Sequence, residues 1–194
     1  IEIVQKIISI DPTQIEKFPK FKKDKDIIFY ALQCGLSQIN KIDVSLYHDI
    51  DIVNSFIKKN SINYINLPLD MKNNHEIALR SINNNKDFFM VINNSELEQD
   101  ISFYIKAIRK KHELFEYITE NNDLKLNEKI ILGYIESCHE KMLTPQIPID
   151  ILDNFKCRNV TELKIFLLKN QIEKELNNTN NSQIFEEKKN KIKI

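Results

Sequence analysis

The chain has 194 residues, 42% of them apolar and 29% charged, with Lys+Arg and Asp+Glu both at 28. That composition suits a folded chain with a sizeable core. Two glycines and five prolines are too few for the tight turns of a sandwich or barrel, zero formal charge lacks the basic excess of a nucleic-acid binder, and no run of roughly 18 apolar residues offers a membrane span.

From the N-terminus onward, one helical pattern recurs. Its first apolar positions are Ile3, Ile27, Ile52, Ile77, Phe103 and Ile130, at intervals of 24, 25, 25, 26 and 27 residues. Further apolar or small residues follow one, four and five places on, as Val53, Phe56 and Ile57 do after Ile52. That spacing draws one helical face. Three residues ahead of the mark stand Asp24, Asp49, Asn74, Asp100 and Asn127. Each is a residue type that caps a helix N-terminus, so the spacing predicts a helix starting after each. Eight residues past the mark come Asp11, Gly35, Asn60 and Asn85, then Lys111 and Cys138. The first four predict a turn, with Asn60 in a left-handed C-cap. The last two predict longer fourth and fifth full helices.

A second pair lies twelve and fifteen residues past the mark: Ile15 and Phe18, Ile39 and Ile42, Tyr64 and Leu67, Phe89 and Ile92, Phe115 and Ile118, and Met142 and Pro145. The three-residue step predicts a second, shorter helix in each unit. Leu46, Leu69, Leu97 and Leu124, in the loops, are expected to tuck under the next unit. A two-helix unit of this size cannot bury its apolar face alone. The predicted fold is therefore all-α, an α-solenoid of short two-helix repeats with a longer C-terminal capping helix.

About six units fill residues 1–155. The two prolines of Thr144-Pro145-Gln146-Ile147-Pro148 break the pattern, and Ile149, Ile151, Leu152 and Phe155 suggest a short extra helix. Residues 156–194 are predicted to hold the cap helix, running from about Thr161 to Asn177. A polar break at 177–182 and a charged tail, a possible linker to a further domain, follow it. The chain opens on Ile1 rather than Met, and we expect it to be an excised part of a longer protein. No signal-peptide pattern opens it. The odd count of Cys34, Cys138 and Cys157 suggests reduced thiols and a cytoplasmic setting.

Asp24-Lys25-Asp26-Ile27-Ile28-Phe29-Tyr30-Ala31-Leu32-Gln33-Cys34-Gly35, and after it the stretch from Asn74 to Asn85, resemble a tandem short helical repeat family of unknown function. Residues 24–74 carry the likeness best. Phe56 and Tyr134 depart from it where that family has a small residue, and its alanine-rich second helix is missing here. Such arrays occur in protists and host-associated bacteria, translocated effectors included. The resemblance implies a scaffold or recognition role, in the host cytosol for an effector, and brings no catalytic residues.

The residues themselves offer no catalytic set. Cys138 and His139 are adjacent on a helix and point about 100° apart, so they do not form a nucleophile–base pair. Cys138, His139 and Cys157 lack the close paired spacing of a zinc site. The paired Asp49 and Asp51 are explained by capping and first-turn charge. His48, His75, His112 and His139 read as solvated residues near unit boundaries. The basic run Lys17 to Lys23, with Phe18 and Phe21, has aromatics between its lysines, but Phe18 sits on the core register. No cofactor or metal is expected.

The expected role is a non-catalytic protein-interaction scaffold or recognition region with a protein partner. The alternatives are a substrate-docking region of a multidomain enzyme and an RNA-binding helical array, nucleic acid being the less expected partner. Nothing in the sequence sets an oligomeric state. Positions two, three and six past the mark have least core duty, which nominates Asn54, Ser55, Lys58, Arg80, Asn83, Lys106 and Arg109 as the partner surface, beside Leu79 and Ile105.

Overall fold

The computed structural model describes residues 1–83, 85–119 and 122–191, with side-chain surroundings given as far as residue 179 except at 85, 122 and 123. The fold is all-helical, with no strand among the described residues. No helix among them is long and apolar enough to cross a membrane. By contact, the chain divides into two compact units, Ile1–Phe103 and Tyr104–Ile194.

In the first unit the repeated pattern forms α1 (Glu2–Ile10), α2 (Lys25–Gln33), α3 (Ile50–Lys59) and α5 (His75–Ser81). A single turn, α4 (Leu69–Lys72), precedes α5, and α6 (Asn85–Asn93) follows it. The next helix, α7 (Ile101–Lys110), leads into the second unit. Helix α1 touches α2, α2 touches α3 and α3 touches α5. A second row runs beside them, made of 3-10 segments at Pro12–Lys17, Ile39–Lys41 and Ser61–Asn66, and then α6.

The helix starts follow from the capping residues. Asp24 Oδ1 accepts from the Asp26 and Ile27 amides, and Asp49 Oδ1 accepts from Ile52 N at 3.2 Å. Asn74, Asp100 and Asn127 do the same for α5, α7 and α10 (Glu128–Glu140). Each cap satisfies amides that have no partner inside the helix.

The stops differ from one another. Helix α2 ends on Gly35 at φ +109, with the Leu36 amide bonded to Ala31 O at 2.8 Å. This is a Schellman stop, and Leu36 is buried beside it. The expected left-handed Asn60 is a correction. Its backbone is extended, φ −156 and ψ 113, because its side chain accepts from the Ile62 amide and caps the following 3-10 segment. Asn85 likewise opens α6 instead of closing α5. Helix α7 stops at Lys110 and matches α3 in length, so the expected lengthening occurs only in α10, with 13 residues.

The second apolar pair is realised mainly as 3-10 helix, whose three residues per turn bring positions twelve and fifteen onto one side. Ile15, Ile39, Ile42, Tyr64 and Leu67 are buried there. Tyr64 donates to Lys72 O at 2.7 Å, and burial pushes its phenol up to about 12. In α6 the register moves by one, so Phe88 is buried and Phe89 is 44% exposed. Among the loop leucines, Leu46 and Leu97 are buried, but Met71 takes the place expected of Leu69.

One buried polar side chain joins neighbouring turns. Asn63 accepts from the Ile39 amide at 2.9 Å and donates to Ser37 O, Phe56 O and Asn60 O. Its oxygen satisfies the buried Ile39 amide, and its two N–H groups are shared among the three carbonyls.

The second unit holds α8 (Leu114–Thr119), α9 (Asn122–Lys125), α10, α11 (Ile149–Asn154) and α12 (Val160–Lys191). Helix α10 closes with Met142 at φ +55 and Leu143 N bonded to Cys138 O. Met142 is therefore solvent-exposed and not a core residue. Helix α12 packs Leu163 and Leu167 against α10. It runs through 177–182, where a break was expected, because no glycine or proline interrupts it and asparagine costs only a few tenths of a kcal/mol per residue, on the order of 0.5.

Candidate functional site

Between α2 and α3 lies an open groove of about 450 Å³, lined by Phe29, Leu32, Gln33, Ser55, Lys58 and Lys59. Its apolar side comes from α2, where Leu32 is buried and Phe29 half-buried. Its polar side comes from the last two turns of α3. Ser55 donates its hydroxyl to Asp51 O at 2.7 Å, which leaves the oxygen able to accept a further bond. Lys58 and Lys59 are exposed and have no ion-pair partner among the described residues. Their position in the last turn of α3 also complements the negative end of the helix.

The opposite, N-terminal ends of these helices carry carboxylates, and the capping Asp49 has a cationic partner. Lys25 pairs with the capping Asp49 of the next helix. His75 Nε2 lies 2.7 Å from Asp100 Oδ2, the equivalent pair two steps on, between α5 and α7, and His48 Nε2 lies 3.1 Å from Asp70 Oδ2. Lys25 holds the Asp49 carboxyl below its ordinary range, against the opposing effect of burial and with help from the Ile52 amide. Burial pushes the Asp100 carboxyl up, but the Ser102 hydroxyl, the Phe103 amide and His75 together bring it below the ordinary value. His75 is thus no solvated loop residue. It is half-buried and meets the Phe103 ring edge-on at 5.5 Å.

Of the nominated surface residues, Ser55 and Lys58 come together in the groove. Asn54 is half-buried, with its Oδ1 buried and without a hydrogen-bond partner among the described residues. Arg80 bonds Glu76 at 2.6 Å, and the Asn83 amide donates to Asp87 Oδ2 at 2.9 Å. Lys106 is exposed on α7, and Arg109 bonds Glu136 at 3.2 Å within the second unit. Phe29, Leu32, Gln33 and Lys59 were missed. The signal for them was the repeat itself, because position two of one helix lies across from position three of the next. Phe29 and Ser55 show this in the groove, and Ile105 and Gly133 show it in the second unit.

Cys138 is fully buried and His139 exposed, with His139 Nδ1 3.1 Å from Lys164 Nζ, so the two do not face one another. No group of three metal-binding side chains occurs among the described residues. Comparison with known protein families, curated proteins and solved structures finds no match to this chain.

Proposed function

We propose that this chain is a non-catalytic protein-interaction region, acting in the cytoplasm as a scaffold or recognition surface. In this reading its helices are units of an α-solenoid of short two-helix repeats, related to the tandem helical repeat family that residues 24–35 resemble. The partner offers an acidic segment with an apolar side chain. The observation that carries the reading is the α2/α3 groove, where Phe29 and Leu32 form an apolar wall under two lysines without carboxylate partners among the described residues. An apolar anchor inside a charged rim is the usual anatomy of a recognition site.

Peptide display against the purified chain tests this. Selected peptides should carry an Asp or Glu cluster beside Leu, Ile or Phe. Binding should weaken with added salt and fall at least tenfold in the double variant Lys58→Glu, Lys59→Glu. Selection of basic or uncharged peptides, or binding that this variant leaves unchanged, would remove the groove as the recognition site.

A further inference from the structure

The first helix differs from the others at one position. The mark residue is buried in every later unit: Ile27 is 3% exposed, Ile52 0% and Ile77 1%, and Phe103 and Ile130 are buried too. In α1 the same residue, Ile3, is 75% exposed. Position four shows the same change, with Ala31, Phe56 and Ser81 buried and Ile7 only half-buried. Positions one and five keep their burial, as Val4 and Ile8. Helix α1 has α2 after it and no helix ahead of it in this structure. The comparison separates the two sides of the repeated helix. On the helix surface positions one and five lie together on one side and the mark and position four on the other, and α1, which contacts α2 and its own Pro12–Lys17 segment, leaves the second side uncovered.

Ile10, 86% exposed, extends the uncovered side, so that Ile3, Ile7 and Ile10 form an apolar stripe at helical spacing. Neighbouring isoleucines grouped on one face mark a contact surface more strongly than scattered ones do. A second copy of this chain fits the stripe poorly. Three isoleucines on a nine-residue helix fall well short of the roughly 800 Å² per partner that a stable dimer buries.

We infer that the Ile3/Ile7/Ile10 face of α1 is the docking face for a further helical unit of this chain's own kind, joined ahead of α1. That unit's helix presents a branched aliphatic pair four residues apart, as Val53 and Ile57 do. The inference rests on the repeat reading of the fold and holds whatever the α2/α3 groove binds.

The test adds such a unit. Residues 49–74 are duplicated and joined directly to Ile1. The copied Ile52 then stands 25 residues ahead of Ile3, as it does ahead of Ile77, and the copied Asn74 precedes Ile1-Glu2-Ile3 as it precedes His75-Glu76-Ile77. Thermal unfolding should rise by at least about 4 °C, within the range of a tenfold gain in the folded-to-unfolded ratio at this chain length. Ile3→Lys should abolish that rise in the fusion and move the parent by less than about 2 °C, since an exposed side chain has little burial to lose. A second fusion, carrying residues 24–49 with Asp49 as the cap, repeats the test with a different unit. No rise or no folding in both fusions, or a rise that survives Ile3→Lys, overturns the inference. So does a parent chain that sediments as a dimer and becomes monomeric with Ile3→Lys, because a second copy would then be the occupant.

Discussion

In α3, Ile52, Val53, Phe56 and Ile57 are all buried, whereas in α1 only Val4 and Ile8 of the equivalent Ile3, Val4, Ile7 and Ile8 are. The two helices are nine and ten residues long and carry the same apolar pattern. Their difference teaches that a helix here gains its core from its neighbours. Isolated helices of this length are marginal in water, so each one is held by the helices on either side. The chain's stability is then shared along the row, and a defect at a shared face should cost far more than the same defect at an open one.

The largest expected contrast is therefore Ile52→Ala against Ile3→Ala. The first removes a fully buried side chain and should cost about 2–5 kcal/mol in urea unfolding, and the second should stay within about 0.5 kcal/mol. Equal costs would break the comparison. Next comes the position eleven past the mark. Asn63→Ala strands the buried Ile39 amide and should cost about 2 kcal/mol. Gln14, at the same position of the first repeat, bonds Asp11 in its own loop, and Gln14→Ala should cost less than about 1 kcal/mol.

Smaller effects come from close approach and from caps. A Cβ on Gly133 would lie 3.0 Å from Ile105 Cγ2 and 3.3 Å from its Cγ1. Ile105 is β-branched and cannot rotate all of these atoms away, so Gly133→Ala should be destabilising by about 1 kcal/mol despite the better helix propensity of alanine. In an Ile105→Ala background the same change should become stabilising, and a double-mutant cycle reads the difference. Asp49→Ala should cost about 1 kcal/mol through the lost cap.

The smallest effect is one of pH. The Asp49 carboxyl is held below its ordinary 3.8 in the folded chain. Its ionised form therefore contributes stability that is fully present above that value and is lost as pH falls through the lower, folded one. Asp49→Asn keeps a capping oxygen and drops the charge. The stability gap between wild type and variant should be constant above about pH 5 and should close on acidification. A gap that widened in acid would contradict the Lys25–Asp49 assignment.

Much of this arrangement was legible in the residues. Five Asp or Asn caps at one register, with apolar residues at fixed offsets behind them, specify helix starts and buried faces through local hydrogen bonds and spacing. Asn60 was not legible, because one asparagine can close a helix in the left-handed region or cap the next segment. The neighbouring 3-10 turn decides between them. Nor could the sequence choose Phe88 over Phe89, or Met71 over Leu69, since adjacent apolar residues compete for one core place and packing selects the winner. The half of the groove supplied by Phe29 and Leu32 comes from a different helix than Ser55 and Lys58. It emerges only when α2 and α3 are placed side by side.

Amide chemical-shift mapping with a selected acidic–apolar peptide tests the proposed recognition site most directly. The α2/α3 account predicts shifts concentrated at Phe29, Leu32, Gln33, Ser55, Lys58 and Lys59, lost in the Lys58→Glu, Lys59→Glu variant. Shifts centred elsewhere in the chain, with those six residues unmoved, would contradict it.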